Sequence, residues 1–138
     1  QAPGENAQAL RLDSGLLCWL LRIFGAPSLQ THSMRGAIFE TWVISETIKH
    51  RLHHDLPPDL HFWRDKHGTE IDMVFEHQGR LQAVEFKSGT TFASDWLAPC
   101  GHWQAMVGAD AAPPILVWGG VDSFELEDAR VVSWADVG

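Results

Sequence analysis

The feature that most constrains this chain is a change of hydrophobic period in its middle. Before the Pro57–Pro58 pair, apolar residues recur at helical spacing; after it they alternate. Residues 60–64 read as a strand, Asp65-Lys66-His67-Gly68 as a hairpin turn, and 69–76 as a second strand. His77-Gln78-Gly79 then reads as another turn and 80–87 as a third strand. Glycine supplies the positive φ that such turns demand. Three strands joined by two tight turns make an antiparallel meander, and its faces need covering by other elements.

The flanking segments supply that cover. Asp13 and Ser14 are cap residues ahead of Leu16, Leu17, Leu20, Leu21 and Phe24 at helical spacing, and Gly25-Ala26-Pro27 stops the run. Residues 28–33 read as a polar connection. A longer helix is predicted over 34–54, with Ala37, Ile38, Phe39, Trp42, Val43, Ile44, Ile48 and Leu52 as its apolar residues. They cover most of the circumference near its N-terminal end, so that end should be buried. After a loop at 88–91, residues 94–107 read as a helix on Trp96, Leu97, Trp103 and Met106, weakened in its first half by Pro99 and Gly101. Residues 115–118 form a short apolar run before Gly119-Gly120, which suits a buried parallel strand, and 131–134 a last strand. The order α, α, β, β, β, α, β, β predicts an α/β (α+β) domain with a mixed central sheet flanked by helices.

Length and composition bound the rest. The chain has 138 residues, 45% of them hydrophobic and 20% charged, which suits one globular domain over 13–138 behind a flexible lead-in over 1–12. The polar start, Gln1 to Asn6, lacks the pattern of a secretory signal, and no apolar run reaches the ~18 residues of a membrane span. A cytoplasmic setting without a membrane partner is expected. The first residue is Gln, so a C-terminal fragment of a longer protein is expected as well. Cys18 and Cys100 are too few for a disulfide scaffold or a metal knuckle and read as small buried residues. A net charge of −8 excludes gripping nucleic acid by charge alone; a local basic strip or a metal is needed.

Four residues carry chemistry. Glu40 sits one turn before Val43 and Ile44 on its own helix face, where a carboxylate needs a partner or a cation; a structural salt bridge to Arg35 or Lys87 is the plainer account. Asp72 stands mid-strand in Glu70-Ile71-Asp72-Met73-Val74, a place that propensity disfavours and a solvent-facing position would also explain. Glu85 and Lys87, two apart in Val84-Glu85-Phe86-Lys87-Ser88, share a face with Leu81 and Ala83; alone they match a solvated pair. Together they are more informative. Neighbouring strands lie ~4.8 Å apart, so Asp72 and Glu85 can converge into a hard-oxygen site for Mg²⁺ or Mn²⁺, with Lys87 beside the attacking water. That set of groups serves phosphodiester hydrolysis.

The same residues resemble the PD-(D/E)XK nuclease superfamily, the restriction-endonuclease-like fold. The resemblance is closer still to an uncharacterised domain found C-terminal to AAA-type ATPase modules. It is carried by Asp13-Ser14-Gly15-Leu16-Leu17, Arg35-Gly36-Ala37-Ile38-Phe39-Glu40-Thr41-Trp42-Val43, Phe62-Trp63-Arg64-Asp65, Gly68-Thr69-Glu70-Ile71-Asp72 and Val84-Glu85-Phe86-Lys87-Ser88, in that order. It implies a restriction-endonuclease-like sheet, metal ligation by Asp72, Glu85 and the Phe86 carbonyl with help from Glu40, and Lys87 serving the attacking water. Gln104 matches a glutamine that some relatives carry in the following helix, although its apolar neighbours suggest packing. Ile71 stands where the usual proline would be. DNA is the substrate so implied, and an AAA-type ATPase module in the same full-length chain the partner. The expected function is a metal-dependent nuclease domain hydrolysing DNA phosphodiester bonds. The alternative is a non-catalytic interaction or DNA-binding module attached to the ATPase.

Weaker signals point elsewhere. His50 and His54 share a helix face, but no third zinc ligand is evident. Lys49, His50, Arg51, His53 and His54 form a modest basic run that reads as a solvated face. Gly119-Gly120 is too short for a phosphate-binding loop, and no G-x-x-x-x-G-K-[ST] occurs, so any ATPase lies outside these residues.

Overall fold

The computed structural model describes residues 14–138; the expected lead-in and the capping Asp13 lie outside the described residues. Helix α1 spans Ser14–Leu20 and is shorter than its apolar repeat suggests. The supposed connection after it is itself a short helix, α2 (Ala26–Thr31). Pro27, read as a breaker, sits in the first turn of α2, where a missing N–H costs nothing. Helix α3 spans Arg35–His53. Its burial is narrower than the apolar count implies: Ile38, Thr41, Val43, Ser45 and Arg51 are buried, whereas Leu52 is exposed.

The meander follows as expected. Strands β1 (His61–Arg64), β2 (Glu70–His77) and β3 (Arg80–Lys87) pair antiparallel in succession. Gly68 and Gly79 take φ of 88° and 77° in the two turns. The predicted third helix divides into a 3₁₀ turn (Ser94–Leu97) and α4 (Ala98–Val107), with Pro99 in the first turn of α4. Strands β4 (Ile115–Trp118) and β6 (Arg130–Ser133) extend the sheet in parallel from β3. A two-residue strand β5 (Phe124–Glu125), too short to leave a pattern in the sequence, closes the edge antiparallel to β6. The result is a six-stranded mixed sheet in the order β1-β2-β3-β4-β6-β5, flanked by helices. Among the described residues no helix is long and apolar enough to cross a membrane.

Packing explains the layers. Around α4, the cluster comprises Ile71, Val74, Ala83, Cys100, Trp103 and Ala111. Around α3 it comprises Val43, Met73, Val84, Phe86 and Val117, with Phe39, Trp42 and Ile44 partly buried against it. Leu116, Trp118 and Val131 make a third cluster with Phe92, Trp96 and Phe124. Phe39 and Trp42 are thus less enclosed than Val43; Trp42 instead meets Trp134 edge to face at 6.1 Å. Two glycines permit the sheet's crowded end. A Cβ at Gly119 would fall 2.3 Å from the Ser88 carbonyl oxygen, and one at Gly120 would strike the Trp118 ring. That close approach accounts for a pair too short to bind phosphate.

Trp103 is 2% exposed. Trp103→Ala is therefore expected to destabilise by about 3–5 kcal/mol, and the half-buried Trp42→Ala by about half as much, in urea denaturation. Equal costs would show that α3 holds the sheet as firmly as α4 does.

Candidate functional site

Asp72, Glu85 and Lys87 come together at one cleft. The β2–β3 pairing ends at Met73–Val84, and one further step of that register sets Asp72 across from Glu85. There the Asp72 side chain intervenes: its Oδ2 accepts the Phe86 N–H at 2.8 Å. This bond holds the carboxylate beside Glu85 and gives a reason for an aspartate in mid-strand. Glu85 lies on β3 between β2 and β4 and is 3% exposed. Its Oε1 is buried without a hydrogen-bond partner.

The electrostatics follow from that placement. Burial first, then the charge of Asp72 and a hydrogen bond to it, push the Glu85 carboxyl up to about 8; the nearby Lys87 ammonium pulls the other way. Two carboxylates this close do not readily ionise together. Cys100 lies under the same pair: burial, then Glu85 and Asp72, push its thiol up to about 12, so it is an inert packing group.

A cleft of about 530 Å³ opens above these residues. Asp72, Glu85 and Lys87 line it together with His67, Gly68 and Thr69 from the β1–β2 turn, Glu70 from the start of β2, and Ala98, Pro99 and His102 from α4. Asp65 anchors the turn, its Oδ1 accepting the His67 and Thr69 N–H groups at 2.8 and 2.9 Å. Lys87 is steadied at the end of β3, where its carbonyl accepts the Gly119 N–H at 2.9 Å and the Arg35 guanidinium donates to the Ser88 carbonyl.

The remaining candidates sit elsewhere. Glu40 is half-buried on α3, the helix that packs against Val84 and Phe86, and is not among the residues that line the cleft. Gln104 also lies outside the lining and donates to the Ala112 carbonyl at 3.3 Å. His50 and His54 stack at 4.2 Å, and the latter's Nδ1 is spent on the His50 carbonyl. Arg51 leaves the basic run altogether, since its Nε donates to the Pro57 carbonyl at 2.6 Å and its guanidinium lies over the Phe75 ring. Among the described residues no three His, Cys, Asp or Glu side chains form a ready-made metal cage. Sequence reasoning missed His67, Glu70 and His102. His67 fell within a segment read only as a hairpin turn, Glu70 within a strand of which only Asp72 was singled out, and His102 shows simply as a polar residue beside the apolar Trp103.

The class so defined is an α+β domain whose mixed sheet carries a paired-carboxylate cleft with a lysine. Residues 35–137 match a family described as a domain of unknown function, DUF4143, and the chain belongs to that family. No curated protein and no solved structure matches the chain.

Glu85 makes stability depend on pH. Its folded-state pKa lies above the unfolded value near 4.5, so the folded state holds the extra proton between about 4.5 and 8. Metal-free protein is therefore expected to lose stability as pH rises through that window, and Glu85→Gln to flatten the loss. Melting temperatures measured from pH 4.5 to 8.5 check this; parallel curves for both proteins would mean that the pair costs nothing.

Proposed function

We propose that this domain is a metal-dependent nuclease of the PD-(D/E)XK type, hydrolysing DNA phosphodiester bonds and carried C-terminal to an AAA-type ATPase in the cytoplasm. The observation that supports it most is Glu85 Oε1, buried and unpartnered beside Asp72 at an open cleft that Lys87 also lines. Paired carboxylates that repel one another fit a hard divalent cation, and Mg²⁺ commonly takes only one or two protein carboxylates, filling its shell with water and phosphate oxygens. Asp72 and Glu85 would hold Mg²⁺ or Mn²⁺; the Phe86 carbonyl and Glu40 are further ligands on the resemblance alone. When bound, such a cation stabilises charge on the phosphoryl oxygen and acidifies its water.

The chain's own groups do the rest. By holding the cation, Asp72 and Glu85 would fix the position of the reacting phosphate relative to the sheet. Lys87, with three N–H donors and no acceptor, orients the attacking water or neutralises a phosphate oxygen. The walls formed by the β1–β2 turn and α4 limit how the backbone enters. A chain of net charge −8 attracts DNA weakly, so the reaction depends on the cation at the cleft floor. That same acidity, with Glu40 outside the cleft lining, favours a second reading: a non-catalytic module docking on its ATPase.

The test is thermal. Mn²⁺ is expected to raise the melting temperature by binding the folded state, and Asp72→Asn to abolish most of that rise; above about pH 8, where both carboxylates ionise, Asp72→Asn is expected to stabilise metal-free protein through loss of one repelling charge. Lys87→Ala is expected to keep the Mn²⁺ shift and lose cleavage of single- and double-stranded DNA. An identical shift in wild type and Asp72→Asn at every Mn²⁺ concentration removes the nuclease reading and leaves the docking module.

A further inference from the structure

We propose that His102, aimed by Asp65, is a catalytic residue of this cleft and accepts the proton of the attacking water. The assignment rests on the hydrolase reading. That reading leaves the water's proton without a destination. Lys87 offers only donors, Asp72 and Glu85 face each other and the cation, and Glu70 is paired with Arg64 at 3.3 Å. Two imidazoles also line the cleft, His67 and His102. Of these, His102 brings a ring nitrogen to a carboxylate, its Nε2 lying 3.5 Å from Asp65 Oδ2. His67 engages the same carboxylate through its backbone N–H.

Asp65 is built to hold an imidazole. Its side chain is 10% exposed. One oxygen, Oδ1, is committed to the turn, whereas Oδ2 is buried without a hydrogen-bond partner and faces His102. The His102 side chain is 53% exposed. A shift of about half an ångström turns the contact into a hydrogen bond. A carboxylate there holds the proton on Nε2 and leaves the lone pair on Nδ1, the arrangement of an oriented general base. In the step, the O–H bond of water breaks and its proton moves to Nδ1. The oxygen's electron pair forms the new P–O bond, and the bond to the leaving oxygen breaks with its own pair. The leaving oxygen takes a proton from solvent, and the imidazolium returns one to it.

The experiment uses the full chain with Mn²⁺ and duplex DNA, comparing wild type, His102→Gln, Asp65→Asn and the double variant. His102→Gln is expected to lower kcat about 100-fold with KM within about twofold. Asn at 65 keeps an acceptor for the turn but removes the charge, so Asp65→Asn should lower kcat about tenfold alone and not at all in the His102→Gln background. Nitrogen chemical shifts of the metal-free protein should show His102 as the Nε2–H tautomer in wild type and as a mixture in Asp65→Asn. A wild type that cleaves alongside an equally active His102→Gln overturns this assignment alone. So does a full Asp65→Asn effect in the double variant, or an Nδ1–H tautomer in wild type. A wild type that binds Mn²⁺ but cleaves nothing overturns the hydrolase reading and this assignment together.

Discussion

The bond from the Phe86 N–H to Asp72 Oδ2 is the constraint on which the site depends. It lies where the β2–β3 pairing stops, so a side chain replaces the next rung of the ladder. Without that donor, Asp72 would have every reason to turn toward solvent, away from a second carboxylate. With it, the aspartate stays beside a glutamate that is almost fully enclosed. The fold then carries a cost, since Glu85 ionises only against burial and a neighbouring charge. A protein holds such a pair when something outside the chain relieves it or when the scaffold is stable enough to tolerate it.

The scaffold meets that condition by placing Glu85 on a central strand. Strand β3 has β2 on one side and β4 on the other, and the residues alternating with Glu85, namely Val84 and Phe86, are locked under α3. Glu85 cannot escape without disturbing that packing. The opposite layer is more open: α4 covers Ile71, Val74 and Ala83 with its Cys100 and Trp103 but presents Ala98 and Pro99 to the cleft, and residues this small or rigid leave room above the acids. One face of β3 is therefore closed by large side chains and the other is shaped by small ones.

Much of this was legible in the sequence because it rests on short-range rules. The two Gly turns set the meander, and spacing by two set Glu85 and Lys87 on one face. The mixed sheet followed from the order of helical and alternating segments. What was not legible depends on distance along the chain. Residues 28–33 look like a polar connection because α2 is only six residues long. Strand β5 exists only through its pairing with β6. Glu40 reads as enclosed from Val43 and Ile44 one turn along its own helix face, but α3 buries a narrower stripe that leaves Glu40 half-buried and outside the cleft lining. His102 comes to the cleft from a helix placed by tertiary packing, with no local pattern to announce it. The family match bears on 35–137 and leaves the chemistry to be argued from the cleft.

One largely enclosed carboxylate, Asp65, links the cleft's two walls. Asp65 ties the β1–β2 turn to itself through two N–H groups and reaches α4 through His102. The turn carries Gly68, which takes a positive φ and has no side chain to narrow the mouth, and α4 carries Pro99, which stiffens its first turn. The distance between the walls is set by the packing of Cys100 and Trp103 on Ile71, Val74 and Ala83, to which the Asp65–His102 contact adds a polar link, while the floor belongs to a central strand. That floor carries Asp72 and Glu85 where packing on both faces of the sheet holds them, so the charge they present to the cleft is fixed in place by the core.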